Sequence, residues 1–174
     1  LVTSASLPPS DLPGLDPKWS KIVTAPDADG VQHEWHVLDT APAQPVGTVL
    51  CVHGNPTWSF LYRKMVPGLA GAARVICPDY FGFGRSDKPV DPDWYTFDRH
   101  YGSILALVEE LALEKITVVV QDWGGPIGLA WAGRHPERVH SLAILNTIAH
   151  RPPGKVKLPL PLHLFRARAI NPFF

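Results

Sequence analysis

The chain has 174 residues, enough for one domain with a sizeable core, and its 45% hydrophobic and 18% charged content is ordinary for a globular protein. Sixteen Lys and Arg balance sixteen Asp and Glu, so net charge gives no reason to expect a nucleic acid or an anionic membrane as partner. No apolar run is long enough to span a membrane, and the first residues lack a basic segment followed by an apolar stretch, so no secretory leader is expected.

Many of the nineteen prolines fall near the start or after Pro152, which predicts extended or irregular flanks around a compact middle. In chain order, residues 19–24 and 33–38 alternate apolar and polar side chains, as half-exposed antiparallel strands do, and Asp27-Ala-Asp-Gly30 between them is hairpin-turn chemistry. Residues 48–53 (TVLCVH) and 74–77 (RVIC) are continuous apolar runs, expected of parallel strands covered on both faces. The spacing over 58–69 predicts a helix between them. A second helix is predicted over 101–113, with Ile104, Leu105, Leu107, Val108 and Leu111 as its apolar stripe. A strand at 116–120 (ITVVV), a helix at 125–135 closed by Pro136, and a strand at 139–145 follow. Cys51 and Cys77 both lie in strand-like runs and read as small core residues, not as a disulfide or metal pair, which suits a reducing, cytoplasmic setting.

Strands alternating with helices imply a mostly parallel, doubly wound α/β sheet, in which ligands bind outside the carboxyl ends of the strands. Three loops fall at that edge: His53-Gly-Asn-Pro-Thr-Trp58, the segment from Pro78 to Pro89 (PDYFGFGRSDKP), and Val120-Gln-Asp-Trp-Gly-Gly125. The third joins the strongest strand directly to a helix and has the form of a nucleophile elbow, with Asp122 where the G-x-S-x-G version carries serine. An ionised carboxylate needs no base in order to attack, and it suits displacement at an sp³ carbon to give an alkyl ester. Two readings of Asp122 stand at this point, a nucleophile or an N-cap of the following helix. Trp123 is read either as an indole N–H donor beside that carboxylate or as core packing. His53, before Gly54, reads as a loop-bonding residue more than as a base, while Asp79 and Arg85 read as ties within their glycine-rich loop. Gly82-Phe-Gly84 is too short a pattern for phosphate binding.

HGNPTW, DYFGFGRSDKP and QDWGG, in this order and spacing, resemble the haloalkane dehalogenase family of α/β-hydrolases over about residues 46–146. The resemblance implies Asp122 as catalytic nucleophile, Asn55 and Trp123 as halide-binding residues whose backbone N–H groups form the oxyanion hole, and neither cofactor nor metal. The implied partners are a haloalkane and a halide ion. It further implies a general-base histidine, and an acid to orient it, far downstream of the nucleophile beyond a helical cap. Asn146 stands where some relatives place that acid, and none of the other histidines holds the position of the base. Residues 1–150 are therefore expected to form the first part of the hydrolase core and 151–174 the truncated start of the cap, with a membrane-surface segment as the other reading of that stretch. The missing half or a complementary chain is expected to complete the site. An epoxide hydrolase, a β-lactone decarboxylase, or a catalytically incomplete fragment remain alternative readings.

Overall fold

The computed structural model describes residues 2–148. The stretch from residue 151, expected to open a cap, lies outside the described residues. Six strands form one sheet: β1 (Ser20–Pro26), β2 (Gln32–Asp39), β3 (Thr48–Val52), β4 (Arg74–Pro78), β5 (Ile116–Gln121) and β6 (Val139–Leu145). Their spatial order is β1-β2-β4-β3-β5-β6, with β1, β2 and β4 antiparallel in succession and the β4-β3-β5-β6 neighbours parallel. A short antiparallel pair, Val2–Thr3 with Lys88–Pro89, lies apart from this sheet.

The β1–β2 hairpin closes as its turn residues require: the Asp27 carboxylate accepts the backbone N–H groups of Asp29 (2.9 Å) and Val31 (3.0 Å). In the central strands successive side chains enter different cores. Leu50, Val52, Ile76, Val118 and Val120 face one core, while Cys51, Val75, Cys77 and Val119 face the other. The continuous apolar runs in the sequence thus reflect a sheet buried on both faces.

The first core is closed by α2 (Phe97–Glu110), through Ile104, Leu107 and Val108, and by α3 (Gly124–Arg134), through Ile127 and Trp131. Each such side chain contributes about 1.5–3 kcal/mol on burial. The second core is closed by Tyr62 and by Val66 of α1 (Val66–Leu69). Cys51 and Cys77 are both free and buried there.

Two helix expectations need correction. The stretch 58–69 is not one helix but a 3₁₀ turn, Ser59–Tyr62, followed by the four-residue α1. Pro67 accounts for the break, since a continuous helix would bring its ring against the carbonyl of residue 63 and leave no donor for it. The helix expected from 101 instead begins at Phe97, one turn earlier, where the Thr96 hydroxyl accepts the Arg99 N–H. It also ends sooner, before Ala112 at φ 47°. Beyond β5, the β6 edge leaves Leu142, Ile144 and Leu145 about half exposed.

Candidate active site

The elbow turns at the carboxyl end of β5. Asp122 has φ 51°, in the left-handed region that costs a non-glycine residue about 1–2 kcal/mol. Its backbone is tied down on both sides. The Asp122 N–H donates to the Asn146 carbonyl at 3.3 Å, and its carbonyl accepts the Gly125 N–H at 2.9 Å. The side chain does not cap α3, whose N-cap position is Trp123 without a side-chain bond. Instead Asp122 Oδ1 accepts the backbone N–H of Asn55 at 2.9 Å, from the loop that follows β3. Two loops separated by 67 residues therefore meet at one carboxylate. The close approach requires a glycine at position 54, because a Cβ there would overlap the Asp122 side chain.

Asp122, Trp123, Pro126, Asn146, Thr147 and Ile148 line an open cleft of about 430 Å³. Trp123 is 56% exposed, so its indole is not a core-packing group among the described residues. Asn55 is exposed beside the carboxylate.

His53 is fully buried and occupied at both ring nitrogens. Nε2 accepts the Tyr80 N–H at 3.0 Å, which leaves the proton on Nδ1 to be donated to the Gly54 carbonyl at 2.8 Å. Burial holds its pKa below the ordinary histidine value, against the opposing pull of the Gly54 carbonyl and the Asp79 charge. It fastens two site loops and has no nitrogen left to activate water.

Asp79 is the centre of the second loop. Its Oδ1 accepts the Ser59 N–H at 2.7 Å, and its Oδ2 accepts the Arg85 N–H at 2.8 Å and bonds His36 Nδ1 at 2.9 Å. Burial alone would push its carboxyl up. The His36 bond and charge, with the two backbone donors, outweigh that and hold it below the usual carboxylate range.

The other histidines are no better placed to serve as a base. His33 is buried between Asp27 and Asp87, each 3.3 Å away. His100 is enclosed by Tyr80, Phe83 and Trp94, and burial, then the neighbouring His53, pushes its pKa down to about 4. His135 and His140 lie at the start of β6, the end of the sheet opposite Asp122. His150 and His163 lie outside the described residues. No group of three His, Cys, Asp or Glu is arranged to hold a metal, and no helix is long and apolar enough to cross a membrane, among the described residues.

Sequence reasoning brought Asp122, Trp123 and Asn55 to one place, and the structure places them together. It missed Thr147, whose hydroxyl donates to the Asp122 carbonyl at 2.6 Å. No motif marks that contact, which depends on how two neighbouring strand ends are staggered.

Comparisons with known proteins place the chain among relatives of the same fold. A haloalkane dehalogenase of Mycobacterium marinum is 44% identical over 135 residues, 77% of this chain and 44% of that protein. A cis-3-alkyl-4-alkyloxetan-2-one decarboxylase of Shewanella oneidensis is also 44% identical, over 75% of this chain and 41% of its own length. Among solved structures, the tetrameric haloalkane dehalogenase of Paraglaciecola agarilytica superposes with a TM-score of 0.73 at 36% identity, covering 86% of this chain and 51% of that one. The chain thus spans a little under half the length of the curated relatives it matches. The family model for the alpha/beta hydrolase fold matches residues 47–166, so this chain belongs to the alpha/beta hydrolase family.

Proposed function

We propose that the native protein hydrolyses haloalkanes, with Asp122 as nucleophile and the Trp123 indole and Asn55 carboxamide holding the departing halide. The observation that supports this most is the Asp122 carboxylate at the open cleft, with Oδ1 held by the Asn55 N–H and exposed Trp123 beside it. In the proposed reaction Oδ2 forms a bond to the halogen-bearing carbon as the carbon–halogen pair leaves with the halide. A water molecule, losing its proton to a base, then adds to the carboxyl carbon of the resulting ester. Negative charge gathers on Oδ1 between the Asn55 and Trp123 backbone N–H groups. Collapse expels the alkoxide, which takes the proton back from the base to leave as the alcohol. The carboxylic acid left on Asp122 gives its proton to water and returns to the carboxylate. None of the described histidines is placed to be that base, so the proposal assigns it, with its orienting acid, to a histidine outside the described residues. The partners are then a small haloalkane and a halide, without nucleic acid, membrane or cofactor. The two buried free thiols fit a cytoplasmic setting.

The Shewanella relative supports a second reading, in which the same carboxylate opens a β-lactone and carbon dioxide is lost. Substrate tests separate the two. The leading reading expects bromide release from a bromoalkane by the native protein. Trp123→Phe keeps the ring bulk but removes the N–H, and it should slow carbon–halogen cleavage about 10- to 1000-fold. Added bromide should quench tryptophan fluorescence in the wild type and lose that effect in the variant. Equal single-turnover alkylation rates in the two proteins would contradict the halide role. Carbon dioxide from a β-lactone, with no bromide from any bromoalkane, would favour the decarboxylase.

A further inference from the structure

We infer that Thr147 is a positioning residue for the oxyanion hole, acting through the peptide bond between Asp122 and Trp123. The inference rests on the reading of Asp122 as the nucleophile and adds a residue to it.

Thr147 follows β6 by two positions and is half-buried at the wall of the cleft. Its hydroxyl donates to the Asp122 carbonyl at 2.6 Å, a shorter bond than the 2.9 Å one from the Gly125 N–H to the same oxygen. Space has been left for it, because a Cβ at position 125 would overlap Thr147 Oγ1. The neighbouring Asn146, itself at φ 42°, takes the Asp122 N–H on its carbonyl. Consecutive residues at the end of β6 therefore grip both backbone groups of the one residue in β5's turn that is held in a strained conformation.

Peptide geometry turns this grip into chemistry. A trans peptide unit is planar, with its C=O and the next N–H pointing in opposite directions. Fixing the Asp122 carbonyl toward Thr147 therefore fixes the Trp123 N–H away from it. That N–H makes no hydrogen bond to any described residue, and it is the donor the proposed ester hydrolysis requires. Asp122 Oδ1 keeps its separate Asn55 donor whatever happens at Thr147. Loosening the Asp122–Trp123 peptide should thus weaken the second donor, which matters when charge gathers on Oδ1 during hydrolysis. The alkylation step, in which Oδ2 attacks and charge leaves the carboxylate, should be touched far less.

A merely structural tie would behave differently, lowering stability while leaving the ratio of the two steps alone. The test is rapid-quench kinetics with a bromoalkane on the native polypeptide, following bromide release for alkylation and the mass of the Asp122 peptide for ester decay. Thr147→Val, similar in shape but without the donor, is expected to slow ester decay about 10-fold or more, by analogy with loss of one preorganised donor. Alkylation should stay within about threefold, so the alkyl-enzyme accumulates in the steady state. Thr147→Ser, which keeps the hydroxyl, should decay at close to the wild-type rate. If the valine variant fails to fold, Thr147→Ala is measured in the same two steps. Unchanged ester decay in the donor-free variant, or equal slowing of both steps, overturns the inference. Absence of bromide release and of alkyl-Asp122 in the wild type overturns the underlying reading instead, and is seen before any variant is made.

Discussion

Asp122→Ala is expected to lower bromide release from a bromoalkane by about 10⁴-fold or more, the scale seen when a covalent nucleophile is removed. No neighbouring group can substitute, since Asp79, a nearby loop carboxylate, is fully buried and engaged by Ser59, Arg85 and His36. The fold should survive. The bond lost, from the Asn55 N–H, lies at an exposed position where water replaces it. Alanine tolerates the left-handed backbone slightly less well than aspartate. Together these cost about 1 kcal/mol, or a fall of about 2–4 °C in melting temperature. Bromide release by the variant near the wild-type rate would remove Asp122 from the nucleophile's role. Loss of folding along with loss of rate would make the experiment a measure of structure.

Asp79→Ala should produce the largest loss of stability, about 3–5 kcal/mol. The carboxylate serves three donors from three segments: Ser59 after the first site loop, Arg85 within its own loop, and His36 on β2. Deleting it leaves two backbone N–H groups and a buried imidazole without their partner. Against a typical total of about 5–15 kcal/mol, that loss is a large fraction. Asp79→Asn, which keeps one acceptor oxygen, should lose markedly less.

The same carboxylate sets part of the acid response. Its folded pKa is lowered, because the His36 and backbone bonds outweigh burial. Its stabilisation is therefore present in full above the unfolded carboxylate value near 4 and is lost as pH falls through the lower folded value. Asp27 and Asp39 are lowered too, so the wild type should lose stability progressively below about pH 4, and Asp79→Ala should show a shallower loss over the same range. Chemical denaturation at pH 7 and at pH 3 checks both the size and the slope. A variant within about 1 kcal/mol of wild type at pH 7 would contradict the account of the loop.

The strands and the elbow were legible in the sequence because each carries a local signature. The ITVVV run is β5, starting at Ile116 and ending one residue beyond the expected strand, and residues 139–145 are β6. The expected meeting of Asp122 with Asn55 and Trp123 was implied by the resemblance that the three motifs carry. What stayed hidden was either a cancelling local signal or a long-range contact. The apolar spacing over 58–69 predicts a helix until Pro67 is weighed against residue 63, and the Thr96 cap announces α2 earlier than its apolar stripe does. His36 and Asp79 stand 43 residues apart, and Thr147 and Asp122 stand 25 apart. Their pairing depends on strand order and register, which no local pattern in this chain encodes. Asp79 was expected to tie its loop, but its partner on β2 was not foreseen.

The central claim, that Asp122 becomes covalently alkylated, is tested most directly by following oxygen. With enzyme in excess over a bromoalkane in ¹⁸O-water, each active site turns over once. If Asp122 attacks, the alcohol carries an oxygen that came from the carboxylate, and the peptide containing Asp122 gains one ¹⁸O from the water that cleaved the ester. Mass spectrometry of both products should then show unlabelled alcohol and labelled Asp122. Alcohol labelled with ¹⁸O in that first turnover, beside an unlabelled Asp122 peptide, would mean that water attacks the substrate directly and that Asp122 forms no ester.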